Sequence, residues 1–108
     1  MIREFAMVSA AALAIGIPST AFAKPARCFT TDDGYFKCDF RKTDTAGSFE
    51  IKARGKPGFS MIIEASGLAS GYLRINGRGI PINGAFVRQR DDRACWNNPG
   101  QNVKICVW

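Results

Sequence analysis

Between Cys28 and Trp108, hydrophobic and polar residues alternate in short runs broken by turn residues, and no stretch holds a helical period for any length. The pattern predicts an all-β domain of about six to eight short antiparallel strands, arranged as a small barrel or sandwich. The first two runs, Cys28 to Thr31 and Tyr35 to Phe40, flank Asp32-Asp33-Gly34. A three-residue hairpin loop ends on a left-handed residue, and Gly34 stands where glycine supplies that conformation. In this register Thr31 faces Tyr35, Thr30 faces Phe36 and Cys28 faces Cys38. A two-residue Asp33-Gly34 loop would put the two sulfurs on opposite faces. Cys28, Thr30, Phe36, Cys38 and Phe40 then share the side expected to meet the core.

Arg41 to Gly47 reads as a loop, followed by a half-buried strand from Ser48 to Arg54 with Phe49, Ile51 and Ala53 on its apolar face. After the turn Gly55 to Gly58, Phe59, Met61, Ile63 and Ala65 form the next apolar face, with Ile62 interrupting the polar side. Ser66 to Gly71 is a connection of small residues. Tyr72 to Ile75 follows, with Leu73 and Ile75 inward and Tyr72 and Arg74 outward. Asn76-Gly77 and Asn83-Gly84 are both strong hairpin signals. Two tight turns that close together conflict on a regular strand, so irregular backbone is expected from Arg78 to Ile82. From Ala85 to Arg90 the alternation places Val87 inward and Phe86, Arg88 and Arg90 outward. Cys95 to Trp108 reads as a closing hairpin around Pro99 to Asn102, with Cys95 opposite Cys106 and Trp96 opposite Ile105.

The start of the chain changes how the cysteines are read. Arg3, the uncharged apolar run from Phe5 to Ile17, the helix-breaking Pro18 and the small-x-small triplet Ala21-Phe22-Ala23 have the order of a secretory leader. Residues 1–23 are therefore expected to be a cleaved signal peptide and residues 24–108 one disulfide-bonded domain, periplasmic or secreted. The apolar run is shorter than a bilayer-spanning helix requires, so no membrane span is expected after cleavage. In an oxidising compartment the four cysteines imply two disulfides. Three connectivities are possible; Cys28–Cys38 and Cys95–Cys106 are favoured because each pair brackets a turn signal. Closing a ten-residue loop contributes about 2–3 kcal/mol, a large share for so small a domain.

Charge and composition narrow the chemistry. The formal net charge is +6 and is spread evenly, with no basic tail. Such a surplus biases association toward anionic partners. Histidine is absent, which removes the usual neutral-pH general base and with it the serine and cysteine triads and nearly all zinc catalysis. No phosphate-binding glycine loop or calcium loop is present, so neither cofactor nor metal is expected. Asp32-Asp33 and Asp91-Asp92 could serve a minimal carboxylate hydrolase, but paired aspartates at turns are better explained by backbone hydrogen bonding. The chain reads as a non-enzyme.

The expected function is a small exported binding module. Tyr72, Arg74, Phe86, Arg88 and Arg90 form the candidate face, because arginines alternating with aromatic rings can stack and pair with carboxylate or phosphate. The partner would be an anionic envelope polymer or a protein; no nucleic acid is expected, and nothing in the chain indicates an oligomeric state. A second reading is an envelope inhibitor of a hydrolase such as a lysozyme or protease, acting through a loop at Gly67 to Gly71.

Overall fold

The computed structural model describes residues 23–108, so the expected leader lies outside the described residues apart from Ala23. The domain is all β. Its strands are β1 (Lys24–Thr30), β2 (Gly34–Lys42), β3 (Phe49–Lys52), β4 (Gly58–Ala65), β5 (Leu68–Ile75), β6 (Arg78–Arg88), β7 (Cys95–Asn98) and β8 (Val103–Val107). Each pairs antiparallel with the next, and β1 pairs with β8 to close the barrel. Closure leaves no free sheet edge. It is completed at the last residue, where the backbones of Arg27 and Trp108 exchange hydrogen bonds of 3.2 and 2.9 Å.

The first hairpin keeps its predicted faces but not its register. The turn is Thr31 to Asp33, and Gly34, at φ 71°, pairs with Thr30 rather than lying in the loop. The Thr30 hydroxyl accepts a hydrogen bond from the Asp33 amide at 3.2 Å, which ends the strand one residue earlier than the alternation implied. Every pair is thereby displaced by two positions, and Cys28 faces Phe36 while Cys38 faces Ala26. A shift of two preserves the side on which each residue sits. Cys28 and Cys38 are therefore diagonal neighbours on the inner face, their Cα atoms 5.9 Å apart, and they form the predicted disulfide. The second hairpin has the predicted register, with Cys95 opposite Cys106 and Trp96 opposite Ile105. Its disulfide lies on the outer wall, buried under the connection Gln89 to Ala94, whose backbone bonds to Cys95 and Val107.

An eight-stranded barrel is just wide enough for side chains to fill it. Cys28, Cys38, Phe49, Ile51, Met61, Ala69, Phe86, Trp96 and Ile105 form the continuous core. The rivalry between the two Asn-Gly signals resolves in favour of the first. Asn76 and Gly77, at φ 50° and 77°, make a two-residue turn closed by Ile75 and Arg78. Asn83-Gly84 is no hairpin: it lies in a bulge within β6, between the pairs Gly71–Ile82 and Ala69–Phe86. The irregular backbone thus falls just beyond the expected Arg78–Ile82 segment. The buried Asn98 side chain holds the bulge by donating to the Asn83 carbonyl at 2.8 Å.

Beyond the bulge the predicted phase of β6 is reversed. Phe86 is fully buried and Val87 is 49 % exposed. The reason is steric and specific. Gly71 on β5 leaves the space that Phe86 fills, and a Cβ on Gly71 would stand 2.4 Å from the Phe86 ring. Gly71→Ala is expected to cost about 1–3 kcal/mol through overpacking, and Asn98→Ala a similar amount through the lost buried hydrogen bond. Urea unfolding midpoints of the two variants beside wild type check both; unchanged midpoints would contradict the packing described.

Candidate functional site

The chain runs up and down the barrel, so the connections β2–β3, β4–β5 and β6–β7 gather at one end. There the barrel opens into a cavity of about 640 Å³. Phe40, Phe49, Ile63, Trp96 and Val107 supply apolar walls, and Arg88 and Arg93 supply positive charge. The walls follow from the alternation: Phe49, Ile63 and Trp96 are core-phase residues placed where the core meets the barrel end. Phe40 and Phe49 pack with ring centroids 5.5 Å apart. Arg88 shares the phase of Phe86, so its side chain starts on the inner side of β6. Its guanidinium lies 5.0 Å from the centroid of the Trp96 ring, and its Nε donates to the Arg93 carbonyl at 2.7 Å. Among the described residues the ion pairs are Arg41–Glu50 and Lys56–Asp33, so neither Arg88 nor Arg93 is neutralised. Glu64 at the rim accepts a hydrogen bond from Ser70 at 2.9 Å.

The five residues expected to form one face are dispersed. Tyr72 and Arg74 are outward as predicted, half-buried in a shallow outer groove with Glu50, Ser60 and Ile62. Gly79 on β6 admits them, since a Cβ there would stand 2.9 Å from an Arg74 Nη. Phe86 is in the core, which corrects its outward assignment. Arg88 is at the barrel mouth, and Arg90 is exposed in the connection after β6. The structure therefore brings Tyr72 and Arg74 together and separates them from the other three. The stretch expected to act as an inhibitory loop is also corrected. Ser66-Gly67 is a two-residue turn, and Leu68 to Gly71 belong to β5, with Gly71 buried.

Arg93, Trp96, Phe40 and Val107 were not in the predicted face. With Phe86 inside, Arg88 in the same phase must end at a barrel mouth to reach water, but no local pattern gathers the other four residues there. Asp91 and Asp92 do not converge on a cavity as an acid–base pair. Asp91 accepts from the Gln89 amide at 2.7 Å, while Asp92 accepts from the Ala94 backbone at 3.0 Å and the Trp108 indole at 3.1 Å.

Comparison with protein families, curated proteins and solved structures finds no match to the chain.

In the outer groove the Arg41 guanidinium, hydrogen-bonded at 2.6 Å, holds the Glu50 carboxyl below its ordinary pKa against the opposing effect of burial; Arg74 contributes a smaller pull. A depressed carboxylate stabilises the fold above the usual glutamate pKa of about 4.3 and loses that contribution as pH falls through its folded value. Arg41→Ala is expected to lower stability at pH 7 by less than about 1 kcal/mol, because the arginine is partly exposed. The difference should shrink toward zero at pH 3. Urea unfolding at the two pH values decides it; a pH-independent difference would show that Arg41 acts through packing.

Proposed function

We propose that the chain is a small exported binding module, not an enzyme, whose barrel mouth takes an amphipathic anion: an apolar body against Phe40, Phe49, Ile63 and Val107, and an acidic head against Arg88. The observation that carries this reading is the pairing of a cavity of mixed apolar and polar wall with a guanidinium that has no carboxylate partner among the described residues. Its volume falls in the range of ordinary small-ligand sites, and eight-stranded barrels of this size can hold one small ligand at the mouth. Arg88 is pre-positioned by the Trp96 ring and the Arg93 carbonyl, so little ordering is needed when a carboxylate arrives.

Non-enzymatic status rests on the same residues. Among the described residues Glu64 is the one carboxylate lining the mouth, and a single carboxylate without histidine lacks the paired acid and base of a hydrolase. Export rests on the two disulfides, which are consistent with an oxidising compartment, and on the leader-like start of the chain.

Dodecanoate is the probe of choice, read through Trp96 fluorescence in a Trp108→Phe background. Saturable binding is expected, weakened about tenfold or more by Arg88→Gln, the size of a lost charge-assisted hydrogen bond. Dodecanol, of equal chain length and no charge, should bind more weakly and be indifferent to Arg88→Gln. No binding of dodecanoate, or equal binding of acid and alcohol, would overturn the reading.

A further inference from the structure

A second surface, which shares no residue with the mouth cavity's lining, lies on the outer wall of β1, β2 and β8. Phe29 and Tyr35 face each other across β1 and β2 with ring centroids 5.0 Å apart, and Tyr35 stacks on Trp108 at 5.9 Å. Cations are set among these rings. The Arg27 guanidinium lies 4.6 Å from the Tyr35 centroid and 5.8 Å from that of Trp108, and the Lys104 ammonium lies 5.9 Å from that of Phe29.

Part of this cluster has a structural role, since Phe29, Tyr35 and Trp108 all border the outer Cys95–Cys106 disulfide. Cover does not account for the rest. Tyr35 is 62 % exposed and Trp108 46 % exposed, so most of the tyrosine shields nothing. Nor does cover account for Arg27 standing directly opposite Lys37, because two like charges paired across strands destabilise a sheet. Neither is among the residues paired with a carboxylate in the described part of the chain. Asp92, the nearby acid, accepts from the Trp108 indole and fixes that ring instead. The rings are thus held in place by stacking and a hydrogen bond, and their cations are left to an external anion.

We propose that this wall is a docking surface for an acidic polysaccharide, with sugar rings lying on Tyr35 and Trp108 and sugar carboxylates paired to Arg27 and Lys104. Spacing and charge favour a polymer over a small anion. Lys104 lies four strand residues from Trp108, whose backbone bonds to Arg27, so the two cations are carried by backbone positions about 13 Å apart along the wall. A chain with acidic groups at intervals can pair with both while its rings lie on the aromatic residues. A guanidinium stacked on an aromatic face keeps its edge N–H groups free for such a carboxylate. The sparse charge favours a polysaccharide over single-stranded nucleic acid, whose grooves track a phosphate at every nucleotide with continuous positive charge. A closed barrel has no strand edge to offer an extended peptide.

The test is affinity electrophoresis of the disulfide-bonded protein in gels containing polygalacturonate, with neutral dextran and oligothymidylate as alternatives. Retardation by polygalacturonate is expected, and none by dextran. Tyr35→Ala should weaken it about tenfold and Lys104→Gln about threefold, in keeping with ring and surface-charge contributions. Arg78→Gln removes the same charge from the exposed start of β6 and should leave retardation at the wild-type level. Circular dichroism confirms that the variants are folded. Absence of polygalacturonate binding, stronger retardation by oligothymidylate, or equal losses in Lys104→Gln and Arg78→Gln would overturn the proposal.

Discussion

The fit of Phe86 against Gly71 sets what the rest of this barrel can do. Strand β6 carries the consecutive apolar residues Ala85, Phe86 and Val87, any of which could face the core on composition alone. Only the absence of a side chain at Gly71 makes room for the largest of them. With Phe86 inside, alternation puts Val87 outside and Arg88 inside, one step nearer the barrel end. An arginine in the barrel centre would be costly, but at the mouth it lies on the Trp96 ring and still reaches solvent. A packing choice in the core thus creates the charge at the opening. The Asn83–Gly84 bulge, held by Asn98, lets β6 bend from β5 toward β7 without losing that phase.

Closure does the corresponding work on the outside. Once β1 pairs with β8, every residue is either lining the interior or on the wall, and the two disulfides fall on different sides of that division. Cys28–Cys38 joins the core, whereas Cys95–Cys106 is under the β6–β7 connection on the outer wall. The first tightens the hairpin that begins the sheet and the second the hairpin that ends it, so both act beside the β1–β8 seam. The aromatic wall of Phe29, Tyr35 and Trp108 spans the same seam. Stabilising the junction and presenting a recognition surface are therefore compatible uses of the same residues.

Much of the fold was legible from alternation and cysteine spacing: the all-β class, most of the strands, both disulfides, and the inner faces of β1 to β4. Period-two patterning fixes faces even when register slips by two, which is why the first hairpin kept its inner side although Thr30 ended the strand early. The candidate face was less legible, for one physical reason. Taken by alternation, Arg88 and Arg90 mark the solvent side and carry Phe86 outward with them. A charge is excluded from the inward phase in mid-strand but not at a barrel rim. Tyr72 and Arg74, placed by the cleaner alternation of β5, kept their outward assignment. The convergence of Arg93, Phe40 and Val107 depends on three loops meeting at one end, and no local pattern encodes it.

The phase of β6 underlies the mouth site, so it is the feature to measure. Relaxation enhancement from a soluble paramagnet, recorded on isotopically labelled protein, reports which side chains meet solvent. Strong broadening of the Val87 methyls and protection of the Phe86 ring are expected, with a nuclear Overhauser contact from that ring to the Gly71 Hα protons. Protected Val87 methyls beside a broadened Phe86 ring would reverse the strand and remove Arg88 from the barrel mouth.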